Sequence, residues 1–126
     1  MGRVIVNGCF DVLHSGHIHL LNVARLHGDH LLVAIDGDAR VRALKGRLPV
    51  FDSDFRTRQL HALRAVDEVV VFGSDEQLLS LVERSDIMVK GSDYIGRPII
   101  GADRIEVVFV DVLKVGDEKI SSSNWR

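Results

Sequence analysis

The chain has 126 residues, 46% of them hydrophobic and 27% charged, which fits one globular domain, residues 1–126, with one core. Its formal net charge of −2 offers no general attraction for nucleic acid or an anionic membrane, and no apolar stretch reaches transmembrane length. The apolar run in the N-terminal "MGRVIVNG" is too short for a signal peptide, and one cysteine, Cys9, cannot form an internal disulfide, so a cytoplasmic protein is expected.

Val4 to Val6 is a β-branched run ended by Asn7-Gly8, which predicts a buried strand. His17, Leu20, Leu21 and Ala24 follow helical spacing and predict an amphipathic helix that stops near Gly28. "HLLVAI", His30 to Ile35, predicts a second strand, ended by "DGD". Ala39 to Leu44 reads as a short helix, and "KGRLPVFDSD" as a loop punctuated by Gly46 and Pro49. A helix is expected from about Asp54 to Ala65, capped by Asp52, Ser53 or Asp54. "DEVVVF" is the third strand, "DEQLLSLVER" a helix, and Asp86 to Lys90 the fourth strand. "GSDYIGRPIIGAD" is a long loop with room for one helical turn, and Ile105 to Val110 is the fifth strand. Nearly all-apolar strands alternating with helices predict a parallel sheet covered on both faces.

In such sheets ligands sit at the carboxyl ends of the strands, near the switch in strand order. "NGCFDVLHSGH" lies there, directly after the first strand, yet it has neither the dinucleotide fingerprint nor the P-loop pattern. His14 and His17 stand about one helical turn apart, so their rings can converge. Gly16 between them leaves room for a ligand to approach the backbone. A helix start adds unpaired N–H groups and the positive dipole end. Together these make a site for a polyphosphate, above all for a phosphorus centre gaining negative charge in its transition state. A zinc site from Cys9, His14, His17 and His19 is the weaker reading, since His19 points away on a helix and no Cys-x-x-Cys is present.

"GCFDVLHSGH" resembles the G-x-F-D-x-x-H-x-G-H signature of the cytidylyltransferase-like nucleotidyltransferases. "VAIDGDARVRALKG" looks like their second strand and lysine loop, and "RAVDEVVVF" like their third strand. "VKGSDY" followed by "IIGAD" looks most like the D-glycero-β-D-manno-heptose 1-phosphate adenylyltransferases, and "ISSS" resembles the serine/threonine motif that ends the catalytic core. The resemblance covers nearly the whole chain.

It implies a single Rossmann-like α/β domain with five parallel strands in order 3-2-1-4-5. It also implies a reaction in which NTP and a phosphorylated acceptor give an NDP-linked product and pyrophosphate. By carry-over, His14 and His17 contact the NTP phosphates, and Lys45 reaches the α-phosphate or the acceptor phosphate. Ser121, Ser122 and Ser123 bind the outer phosphates at the start of a last helix. Gly8, Cys9, Phe10, Gly16 and Lys90 belong to the nucleotide side; Asp11, Asp36, Arg56 and Asp93 belong to the acceptor side. Asp36 and Asp38 are equally suited to capping the next helix, and Arg56 to an exposed helix face. Mg²⁺ bridging phosphate oxygens and a homodimer are implied as well. The acceptor phosphate is already an anionic nucleophile, so the histidines read as electrostatic donors rather than bases.

Two departures bear on the substrate. Glycerol-phosphate cytidylyltransferases carry an arginine-threonine-glutamate-glycine string where this chain has "GDEK", and the heptose enzymes usually carry "KGGDY" where Ser92 stands here. The first favours ATP over CTP. The expected function is adenylyl transfer to a sugar 1-phosphate of the heptose kind. CTP-dependent transfer to glycerol 3-phosphate, or to another small phosphate ester, is the alternative, and a nucleotide-binding module without catalysis is the alternative from another class.

Overall fold

The computed structural model describes residues 2–111, together with the backbone of 114–115 and 118–119. Strand β1 (Arg3–Gly8) is followed by α1 (Ser15–Arg25), β2 (His30–Asp36), α2 (Asp38–Lys45) and α3 (Ser53–His61). Then come β3 (Glu68–Phe72), α4 (Asp75–Glu83), β4 (Ile87–Gly91), a 3-10 turn at Ser92–Tyr94, and β5 (Glu106–Val110). The five strands form one parallel sheet in the order β3-β2-β1-β4-β5, as the resemblance implies. The two-residue strands β6 (Lys114–Val115) and β7 (Glu118–Lys119) pair antiparallel.

Alternation along the strands divides the core. Val4, Val6, Leu31, Val33, Ile35 and Val89 face one side, where Leu21 and Ala24 of α1 and Leu60 of α3 pack on them. Ile5, Leu32, Ala34, Phe72 and Met88 face the other side, against Leu78, Leu81 and Val82 of α4. A strand buried on both faces cannot alternate apolar with polar residues, which explains the unbroken apolar runs of β1 and β2. The edge strands are less covered than expected: Val71 of β3 is 44% exposed and Phe109 of β5 is 38% exposed.

The elements predicted as far as Val110 are present, and the largest shift is at the end of α3. The helix stops at His61, four residues short of Ala65, with Ala62 as its cap. Its apolar pattern continues because Ala65 and Val66 are buried under the sheet. They reach that position only by leaving the helix, since Asp67 must meet β2. The Asp67 N–H donates to the Leu31 carbonyl, and its carboxylate accepts the Leu31 N–H at 2.8 Å.

Order reverses between β1 and β4, so the carboxyl ends of these strands form the crevice where a ligand is expected. Asn7, Gly8, Asp36 and Lys90 lie at or beside those ends.

Candidate active site

The loop after β1 turns sharply. Phe10 adopts a left-handed backbone conformation, φ 49°, which costs a non-glycine residue roughly 1–2 kcal/mol. The turn drives its ring inward to 6% exposure, edge-on to the His17 imidazole at 5.3 Å. It also folds the ring over Gly8, where a Cβ would stand 3.1 Å from Phe10 Cε2, so a residue larger than glycine fits here only if the ring shifts slightly.

The two histidines cap α1 reciprocally. His14 is the N-cap, in extended conformation, and its Nδ1 accepts the Gly16 N–H at 3.1 Å. His17 lies one turn on, and its Nδ1 accepts the His14 N–H at 3.4 Å. This is a capping box in which imidazoles replace the usual hydroxyl and carboxylate. The rings stack with centroids 3.9 Å apart. With both Nδ1 atoms accepting, the proton of each neutral ring sits on Nε2. Burial holds the His14 imidazole below its ordinary range, and burial plus the neighbouring His14 pushes His17 down to about 4. Both rings are therefore neutral Nε2–H donors near pH 7. The His14 Nε2 atom is buried and finds no hydrogen-bond partner among the described residues. A buried donor without a partner costs ~1–3 kcal/mol, and an incoming anion removes that cost.

Lys45 ends α2, where Gly46 in left-handed conformation, φ 76°, closes the helix. Its side chain is exposed, and its charge acts on the Cys9 thiol together with those of Arg56, Asp11 and Asp36. Burial nevertheless keeps that thiol above its ordinary value, so Cys9 stays protonated. Lys90, at the end of β4, is 6% exposed; its Nζ donates to the Asn7 carbonyl at 3.4 Å and lies 4.5 Å from the centre of the Tyr94 ring. Burial pushes its ammonium down to about 8, against the pull of Asp36 and Asp93 and with a push from Arg97. Arg97 covers the same ring at 4.8 Å.

The structure thus brings Gly8, Cys9, Phe10, Asp11, His14, Gly16, His17, Asp36, Lys45 and Lys90 to one end of the sheet, and Asp93 follows Lys90 on the 3-10 turn. Two expected acceptor contacts are turned inward. Asp11 is 4% exposed and accepts the N–H groups of Val50 and Phe51 at 2.8 and 2.9 Å. Arg56 is fully buried and donates to the carbonyls of Cys9, Asp36 and Phe51 and to the Asp38 carboxylate. Asp36 is held by Arg40 at 2.8 Å, and Arg40 also reaches Asp75. Ser121, Ser122 and Ser123, and the helix expected to start there, lie outside the described residues. Arg40, Tyr94, Arg97 and Asn7 also join this end of the sheet without a motif that marks them. The four-residue spacing of Asp36 and Arg40 was a usable signal for the first; the others come together only through the order of β1 and β4.

A crevice at the switch of a doubly wound parallel sheet, lined by two neutral imidazole donors and flanked by lysines, defines a nucleotidyltransferase domain. The family model described as cytidylyltransferase-like matches residues 5–126, and the chain belongs to that family. It is 44% identical over 119 residues to "Bifunctional protein HldE" of Wolinella succinogenes, with 90% of this chain and 25% of that protein covered. It is 49% identical over 107 residues to the protein of the same name in Koribacter versatilis, with 82% and 22% covered. The chain thus spans about a quarter of those relatives. Among solved structures it is similar to a lipopolysaccharide core biosynthesis protein from Thermoplasma volcanium, with TM-score 0.68 and 29% identity, covering 90% of this chain and 97% of that one. No helix among the described residues is long and apolar enough to cross a membrane.

Proposed function

We propose that this chain transfers AMP from ATP to a sugar 1-phosphate of the heptose kind and releases pyrophosphate. The observation that carries the reading is the histidine pair at the start of α1, with both Nδ1 atoms occupied and both Nε2–H groups available. Such an arrangement favours charge developing on a phosphoryl group, and each positioned donor is worth ~3–4 kcal/mol in a transition state. The acceptor follows from "VKGSDY…IIGAD", which resembles the heptose 1-phosphate adenylyltransferases, and from the lipopolysaccharide core biosynthesis protein of similar fold.

In this reading an acceptor phosphate oxygen attacks the α-phosphorus in line, and the bond to the bridging oxygen of pyrophosphate breaks. His14 and His17 donate from Nε2 to the phosphate oxygens and stay neutral throughout. Lys45 compensates the charge of the reacting phosphates from the end of α2, and the buried Lys90 ammonium supplies a second positive centre at β4. Ser121, Ser122 and Ser123 grip the outer phosphates. Asp36 and Asp93 orient the acceptor. No proton needs to leave the nucleophile, since a phosphate monoester is already anionic at neutral pH.

Mg²⁺ suits the site as a partner of the triphosphate. The described residues hold no group of three His, Cys, Asp or Glu side chains placed for a metal, and the groups facing the phosphates are donors. When bound, the ion neutralises phosphate charge and is held chiefly by the nucleotide. The enzyme works as a homodimer in the cytoplasm, and it takes neither nucleic acid nor membrane as partner.

A pyrophosphate-release screen tests the reading, with ATP, CTP, GTP and UTP crossed with heptose 1-phosphate, glycerol 3-phosphate and choline phosphate. Turnover should be highest with ATP and heptose 1-phosphate. Preference for CTP and glycerol 3-phosphate would replace this function by cytidylyl transfer, and no turnover with bound nucleotide would leave a binding module.

A further inference from the structure

Arg56 sits at the centre of a network that joins three segments of the site. Its Nε donates to the Phe51 carbonyl at 3.0 Å. One terminal nitrogen donates to the Cys9 carbonyl at 2.9 Å and to the Asp36 carbonyl at 2.8 Å, and the other meets the Asp38 carboxylate at 2.7 Å. Cys9 belongs to the loop that leads to His14, Asp36 ends β2, and Phe51 belongs to the connection that begins just after Lys45. Asp11 closes the network from the other side by accepting the Val50 and Phe51 N–H groups. The second oxygen of Asp38 accepts the Ser53 N–H at 3.2 Å.

Only a planar fork with several donors can serve acceptors spread over three segments, and a lysine in its place would leave some of these carbonyls unpaired. The guanidinium has no exposed surface through which to touch a ligand.

We propose that Arg56 is a positioning residue for the transfer reaction: it fixes the distance between the histidine-bearing loop after β1 and the connection that follows Lys45, and does not contact substrate. The proposal rests on the adenylyl-transfer reading above. It works through backbone carbonyls at both ends, so its effect on turnover passes through the groups it positions. A shift of about 1 Å in such groups can cost on the order of 100-fold in rate.

The test is a double-mutant cycle on the full chain, run at a temperature where circular dichroism shows each variant folded. Arg56→Lys should lower kcat by ~10–100-fold while KM for ATP stays within ~3-fold. Added to Lys45→Ala, the same substitution should cost under ~3-fold, because the group it positions is already gone. An equal loss in both backgrounds would overturn the proposal, as would unchanged kcat with a raised KM for either substrate. Should Arg56→Lys not fold, Asp38→Asn loosens the same network at its half-exposed rim and is judged by the same criteria. A wild type without turnover would sink adenylyl transfer, and this proposal with it; an active wild type with equal losses sinks only the positioning role.

Discussion

The His14 N–H donates to Nδ1 of His17 while Nδ1 of His14 accepts the Gly16 N–H, so the two signature histidines build the helix start on which they sit. One ring nitrogen of each is committed to the backbone, and the other is left for a ligand. Under the proposed function capping and chemistry are carried by the same two side chains, and substitutions can be chosen to separate them.

His14→Asn keeps a good N-cap, and His17→Glu keeps the residue that completes a capping box, but neither places a donor where Nε2 stood. Both should fold with melting temperatures near wild type while kcat falls by ~10²–10³. His14→Ala should lose the same activity and about 1 kcal/mol of stability in addition. Steady-state kinetics and thermal unfolding, measured on the same samples, check both parts. Full activity in His14→Asn would remove that imidazole from the mechanism.

The place of the candidate site, at the carboxyl end of β1, was legible in the sequence. The "GCFDVLHSGH" string placed both histidines after the first strand, and apolar runs of strand length placed all five strands. Residue type did not tell which polar groups face the crevice. Asp11 and Arg56 have the chemistry of acceptor ligands, yet the connection between α2 and α3 folds back onto the end of β1 and takes up both. That contact spans about forty residues of sequence and leaves no local period. The early end of α3 has the same origin, since Asp67 is drawn out of helical pattern by Leu31 of β2.

Acid should destabilise the fold through His17. Its pKa is about 4 in the folded protein against the ordinary 6.5, so the unfolded chain binds more protons between these values. The stabilisation is present above pH 6.5 and is lost as pH falls toward 4, by at most about 3 kcal/mol. Urea unfolding from pH 7.5 to 4.5 should show this slope, and it should flatten in His17→Gln. An unchanged slope in that variant would assign the acid sensitivity elsewhere.

Lys90 sets the alkaline side. Its ammonium is held down to about 8 by burial, so the free protein loses this positive centre as pH rises through 8. KM for the anionic substrate it faces should rise between pH 7.5 and 9, and Lys90→Arg should remove the rise because a guanidinium stays charged. The same rise in Lys90→Arg would place the titrating group elsewhere.

The central claim is that His14 and His17 act as neutral Nε2–H donors to phosphate. Two-bond proton–nitrogen correlation spectra of histidine-labelled protein, recorded at pH 7 with and without Mg·ATP, test it most directly. The account predicts the Nε2–H tautomer for both rings in the free protein, with both Nε2 protons slowed in exchange and shifted downfield when nucleotide binds. An Nδ1–H tautomer in either ring, an imidazolium at pH 7, or Nε2 signals indifferent to saturating nucleotide would contradict it.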